Sequence, residues 1–214
     1  MTDPEEYTSM DNTLPVINIL RHRLTSDGGG VITLVGSCGC PLHCRYCINE
    51  GVIRNPEKTV KYTPEKLLEA VKIDDLYLQS TGGGITFGGG ESLLYADFIH
   101  AFRRLASSNW RINIETSLNI GENMLKKVLD DIDEYIVDIK DMNPEIYKKY
   151  TGKNQELMLH NLKLLIKSGK KDQLHIRIPH IPEYNTEADV RSSVEQLRRM
   201  GITKTEVFPY IIRK

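Results

Sequence analysis

The chain has 214 residues, a formal net charge of −1 and 40% apolar residues, which fits one large domain with one substantial core. Charges of both signs are spread along it without a basic block, which argues against nucleic acid or an anionic membrane as partner. No apolar run approaches bilayer length and the acidic start MTDPEEYTSM is not a secretory leader, so the expectation is a cytoplasmic protein.

Residues 1–13 read as a flexible tail, followed by a single core domain over 14–214. Residues 31–35, VITLV, predict a strand. A helix follows over 62–72, with Thr63 as N-cap and Pro64 at the first helical position. Residues 84–87, GITF, predict the second strand, and 92–107 a helix with apolar residues at 94, 98, 102 and 105. Ile112, Ile114 and Thr116 alternate with polar neighbours as a strand does; a helix over 122–131 and a strand over 135–139 come next. The helix over 157–167 is closed by Gly169, and a strand occupies 174–179. Thr186 and Asp189 form a capping-box pattern for a helix over 187–200 that stops at Gly201, before a last strand at 206–208. Six strands separated by helices argue for an α/β fold with parallel strands and right-handed crossovers. In such folds ligands sit at the C-terminal edge of the sheet, where GGGE (88–91), ETS (115–117) and DIK (138–140) fall.

All four cysteines lie within ten residues, in CGCPLHCRYCIN at 38–49. In a reducing compartment such clustering points to metal or redox chemistry before disulfides. Three readings compete: free or buried thiols, a structural zinc site, and an iron–sulfur cluster. Structural zinc usually takes two separated knuckles, so four ligands in so short a loop strain its tetrahedron. A cubane cluster spreads its ligands over several irons and suits a short loop. Cys40, Cys44 and Cys47, spaced C-x3-C-x2-C, would hold three irons and leave a fourth open.

With Tyr46 before the last cysteine, this loop resembles the signature of radical S-adenosylmethionine (SAM) enzymes. The resemblance implies a partial parallel (β/α)6 barrel, a [4Fe-4S] cluster on the three cysteines, and SAM on the open iron. Such enzymes cleave SAM reductively to methionine and a 5′-deoxyadenosyl radical. More narrowly, the chain resembles the glycyl-radical-enzyme activating enzymes, the pyruvate formate-lyase activase group. The segments NILRHRLTSDGGGV (18–31), GCPLHCRYCIN, STGGGITFGGGESLL (80–94), ETS, VDIKDMNPEIYKKYTG (137–152) and IRIPHIPEYN (176–185) follow in that group's order. The resemblance implies a glycyl radical enzyme as protein partner. Residues 51–62 leave no room for a ferredoxin-like insert, so the reductant is expected from an external flavodoxin- or ferredoxin-type donor. The alternatives are a radical SAM enzyme acting on a peptide or small metabolite, and a non-catalytic iron–sulfur or zinc module.

Site residues carry over one by one. Gly88, Gly89 and Gly90 leave main-chain groups open to close approach, and with Glu91 resemble the element that binds the SAM amino group; the plainer alternative is a tight strand-to-helix turn. Asp138 and Lys140, two apart on a strand, share a face and could flank a zwitterion, or form a salt-bridged strand end. Glu115 stands where, by resemblance, an acidic residue holds a monovalent cation together with Asp138, although the family residue is usually shorter. Ser117 lines the same edge. Arg177, on one face with His175, either contacts SAM or makes an inter-strand ion pair. Tyr46 and Ile48 are expected beside adenine, while Cys38 reads as a small strand-end residue. The chain departs from the group at Ile48 and Ile211, each in a histidine's place, at Gly29 for proline, at Ile32 for arginine, and at GGGES for S-G-G-E-P. These departures bear on partner recognition more than on SAM binding.

Overall fold

The computed structural model describes residues 12–24 and 27–212. The tail expected over 1–13 therefore lies, apart from Asn12 and Thr13, outside the described residues. One eight-stranded sheet takes its strands from both ends of the described chain. In chain order they are β1 (Leu14–Arg23), β2 (Ile32–Ser37), β3 (Val60–Tyr62), β4 (Gly84–Gly89), β5 (Arg111–Thr116), β6 (Glu134–Asp138), β7 (Leu174–His180) and β8 (Thr205–Pro209). Six of them, β2-β4-β5-β6-β7-β8, are parallel neighbours in that order, one for each strand read from the sequence. β1 pairs antiparallel with β2 and β3 antiparallel with β1, so the sheet opens with a hairpin edge and ends at β8.

The helices are α1 (Glu50–Ile53), α2 (Pro64–Val71), α3 (Asp75–Thr81), α4 (Ala96–Leu105), α5 (Glu122–Lys127), α6 (Pro144–Thr151), α7 (Glu156–Lys167) and α8 (Glu187–Arg199). Thr63 caps α2 through Lys66 N, and Thr186 with Asp189 forms the expected capping box on α8. The stretch 92–107 is not one helix. A 3-10 turn, Ser92–Tyr95, precedes α4, because the carboxylate of Glu91 accepts from Leu93 N and holds the entry turn tight. The helix expected over 122–131 ends at Lys127.

Strand alternation divides the sheet into two chemistries. Ile85, Phe87, Ile112, Ile114, Tyr135, Val137, Ile176 and Ile178 point to the helices and are fully buried in one core. Phe98 and Phe102 of α4 meet Phe87 edge-on at 6.3 and 5.4 Å. The other face carries Thr86, Gly88, Asn113, Glu115, Asp138, His175 and Arg177. Polar groups on the inner face and apolar groups under the helices put the chemistry inside the arc, at its C-terminal edge.

β1, β3, α1, α3 and α6 were not read from the sequence. β1 is a half-exposed strand with register shifts at Val16/Asn18 and Leu20/Arg23 and a left-handed His22 (φ 55°), so its side chains lose simple alternation. α6 had readable signs: Asn143 as N-cap, Pro144 at the first position and Gly152 in the left-handed conformation at its end.

Candidate functional site

The cysteine loop leaves the C-terminal end of β2 and is tied down by main chain from several elements. Cys38 N donates to Pro15 O at 2.9 Å, Gly39 N to Ile53 O at 2.7 Å, His43 N to Thr151 O at 2.8 Å and Arg45 N to Tyr150 O at 3.1 Å. Side chains add to this: Arg54 donates to Leu42 O at 2.6 Å, Tyr95 to Cys38 O at 2.9 Å, and the Tyr210 hydroxyl to Tyr46 O. The loop is therefore held by β1, α1, α6, the turn before α4 and the segment after β8, and its shape belongs to the whole fold.

Cys40, Cys44 and Cys47 line one cavity, together with His43, Glu50 and Arg54. Cys38 does not line it. Its buried thiol donates toward Ile53 O at 3.1 Å, so it fills the strand end as expected. Burial, reinforced by Glu91 and the neighbouring thiols, pushes Cys40 up to about 12. Burial also pushes Cys44 up, against the pull of the Lys140 ammonium. Among the described residues no three His, Cys, Asp or Glu side chains converge as ligands of a single ion; the three thiols line one cavity instead.

Gly89 and Gly90 are required by this loop. Gly89 has φ 87° and a Cβ there would meet Gly36 Cα at 2.8 Å; a Cβ on Gly90 would meet Gly39 O at 2.0 Å. The space that reads as open approach for a ligand is taken by the backbone of β2 at Gly89 and by that of the cysteine loop at Gly90. Gly90 N donates to Ser37 O, Glu91 N to Gly39 O, and Asn49 Nδ2 to Gly89 O, each at 2.9 Å.

Glu91 turns inward. Its carboxylate accepts from Thr116 Oγ1 at 2.6 Å, Leu93 N at 3.3 Å, Ser117 N at 2.9 Å and Ser117 Oγ at 2.6 Å. It is fully buried, and burial pushes it up while these four donors pull it back. Ser117, expected at the site edge, spends its hydroxyl on Glu91. Both residues thus join the glycine turn to the end of β5, and Thr116 joins them.

Deeper on the inner face, four charges form a line. Arg177 Nη1 reaches Glu115 Oε1 at 2.9 Å and its Nε reaches Asp138 Oδ1 at 2.7 Å; Lys140 Nζ lies 3.2 Å from Asp138 Oδ2. Asp138 and Arg177 are direct neighbours across β6 and β7. Burial opposes ionisation of Asp138, but the attraction of Lys140 and Arg177 and their hydrogen bonds outweigh it and hold the carboxyl near 2. Burial pushes Glu115 up against the pull of Arg177. The Lys140 ammonium, paired with Asp138, is also within electrostatic reach of Cys44.

Tyr46 packs against Tyr184 and Tyr150, with ring centroids at 5.7 and 6.2 Å, and donates to Glu183 at 2.8 Å. Ile48 beside it is 65% exposed. Asn49, Arg54, Thr116 and Tyr210 build the site without having been singled out from the sequence. Asn49 and Thr116 lay within the quoted motifs, but Arg54 and Tyr210 act through distant carbonyls that no local pattern announces.

Residues 34–197 match the radical SAM superfamily. The chain is 30% identical over 151 residues to the 4-hydroxyphenylacetate decarboxylase activating enzyme of Clostridioides difficile (strain 630), covering 70% of this chain and 48% of that one. It is 37% identical over 122 residues to the (2S)-3-sulfopropanediol dehydratase activating enzyme of Klebsiella oxytoca, covering 56% of this chain and 38% of that one. The chain thus spans half or less of the length of these two relatives. In fold it is similar to Streptococcus suis SuiB bound to precursor peptide SuiA, with a TM-score of 0.65 at 14% identity over 84% of this chain and 39% of that one. The partial (β/α)6 arc, the three thiols lining one cavity in the loop after β2 and the match across most of the sequence agree: the chain belongs to the radical SAM superfamily.

Proposed function

We propose that the protein, with residues 14–214 as one core, binds a [4Fe-4S] cluster through Cys40, Cys44 and Cys47 and cleaves SAM reductively there, to activate a glycyl radical enzyme. The observation that carries this reading is the sorting of the thiols. Three of four line one cavity, and the Cys38 thiol is turned instead to main-chain carbonyls. Three thiolate donors in one short loop fit a cluster that keeps an iron open.

The cluster and SAM together would supply the electron transfer and the 5′-deoxyadenosyl radical. The chain's own residues hold, orient and shield. Lys140 offers the SAM carboxylate an ammonium, and Asp138, paired with it, offers the SAM amino group an acceptor. Glu91, Thr116 and Ser117 fix the glycine turn against the cysteine loop, so main-chain acceptors at the edge keep their positions. The tyrosine group of Tyr46, Tyr150 and Tyr184 covers one flank and keeps water from the radical. The reductant is an external flavodoxin- or ferredoxin-type protein.

The glycyl-radical partner is supported by the order of the motifs and by relatives named as activating enzymes. Anaerobic assay with SAM and a deuterated glycine-loop peptide tests it. Deuterium is expected in 5′-deoxyadenosine; SAM cleavage without transfer would shift the reading to a peptide of another kind or a small metabolite. The exposed Ile48, in the place of the group's histidine, favours that second reading.

A further inference from the structure

The resemblance gives a monovalent cation to the gap between Glu115 and Asp138. The residues here do not fit it. A small hard cation needs several oxygen ligands turned to one point. Glu115 Oε1 and Asp138 Oδ1, the two oxygens facing the gap, already receive the Arg177 guanidinium at 2.9 and 2.7 Å. Asp138 Oδ2 faces Lys140 at 3.2 Å. The remaining Glu115 oxygen lies over Gly88, where a Cβ would come within 2.5 Å of it. Two carboxylates thus face two cations fixed in the chain. An added ion would sit beside a guanidinium and an ammonium, and of the four carboxylate oxygens only Glu115 Oε2 is not already turned to one of them.

The length of Glu115 accounts for the arrangement. One more methylene than aspartate carries the carboxylate off β5 and over the bare Gly88 of β4. There a guanidinium from β7, two strands away, bridges it to Asp138 of β6. A guanidinium is permanently charged, and its planar fork offers separate nitrogens to two acceptors where an ammonium offers one.

We infer that Arg177 is a built-in cation in this chain: it bridges Glu115 and Asp138 where the resemblance sets a monovalent ion, and the site works without that ion. In this role Arg177 is a positioning residue. It holds Asp138 for the bound substrate, and the inference rests on the proposed reading of this edge as the SAM site.

Two measurements in matched potassium, sodium and tetramethylammonium chlorides test it: the melting temperature of the cluster-free protein, and SAM affinity of the cluster-loaded protein by calorimetry. For the wild type both are expected to be the same in all three salts. Arg177→Gln is expected to bind SAM about tenfold to a hundredfold more weakly in tetramethylammonium, and potassium or sodium is expected to recover much of that loss and raise its melting temperature. Arg177→Lys, which keeps the charge but offers a single nitrogen on a shorter reach, is expected to respond partially and stands in if the glutamine variant does not fold. A wild type stabilised by potassium or sodium, or severalfold better at binding SAM in them, would overturn the inference. So would Arg177 variants indifferent to the ion. If no form binds SAM, the proposed function fails, while the melting temperatures of the cluster-free proteins still decide the role of Arg177.

Discussion

At the residue scale, the site rests on carboxylates whose partners decide their roles. Asp138 is held near 2, against an ordinary value of 3.8, by two cations. A group depressed in the folded state contributes its full stabilisation above its unfolded value and loses it as the pH falls toward the folded one. Asp138 should therefore support the fold above about pH 4 and cease to do so as the pH drops toward 2. With a quarter of its side chain exposed, the contribution is about 1–2 kcal/mol. Denaturant titrations across that range should show Asp138→Asn with a flatter acid limb than the wild type; an unchanged limb would mean the pair does not hold in solution. Glu91 makes a sharper case. Glu91→Gln keeps the shape but turns an amide N–H₂ toward the donors on one side, either Ser117 N and Oγ or Leu93 N and Thr116 Oγ1. Leaving such groups unpaired costs about 2–4 kcal/mol, so the midpoint of unfolding should fall accordingly, and SAM affinity with it. Equal stability of the two proteins would place the carboxylate elsewhere.

At the element scale, the glycine turn after β4 and the cysteine loop after β2 form one unit. Gly90→Ala sets a methyl group against Gly39 O, a main-chain atom held by its own hydrogen bonds. The two loops must part, and Cys40 is the next residue along. The expected result is a protein with wild-type far-UV circular dichroism whose iron and sulfide content after reconstitution falls several-fold. Full cluster loading in that variant would show that the contact is not what positions the cysteines. The same elements show what could be read in the sequence. Six parallel strands and the caps of α2 and α8 were legible because alternation and capping are local signals. β1 was not, because its register shifts and half-exposed position break the alternation that marks a strand. The glycines were expected either to admit a ligand or to make a tight turn; the group that approaches Gly89 and Gly90 in the fold is Gly36 and Gly39 backbone, which only the folded pairing of β2 with β4 brings there.

At the scale of the whole molecule, the sheet separates an apolar core beneath the helices from a charged inner face, and the parallel order gathers the ends of six strands along one edge. Residues far apart in the chain meet there: Glu91 with Ser117, Asp138 with Arg177, Tyr210 with the cysteine loop. An inter-strand ion pair was one of the two readings of Arg177, but its partners Glu115 and Asp138 were not legible, since the geometry depends on the spacing of three strands. No helix among the described residues is long and apolar enough to cross a membrane. The central claim is that three of the four thiols, and not the fourth, hold a cluster at which SAM is cleaved. Its most direct measurement is 5′-deoxyadenosine formed by anaerobically reconstituted, reduced protein in the wild type and in each cysteine-to-alanine variant. The account requires product from the wild type and from Cys38→Ala, and none above background from Cys40→Ala, Cys44→Ala or Cys47→Ala. A wild type that takes up zinc on all four thiols and forms no product, or a Cys38→Ala variant as inactive as the other three, would contradict it.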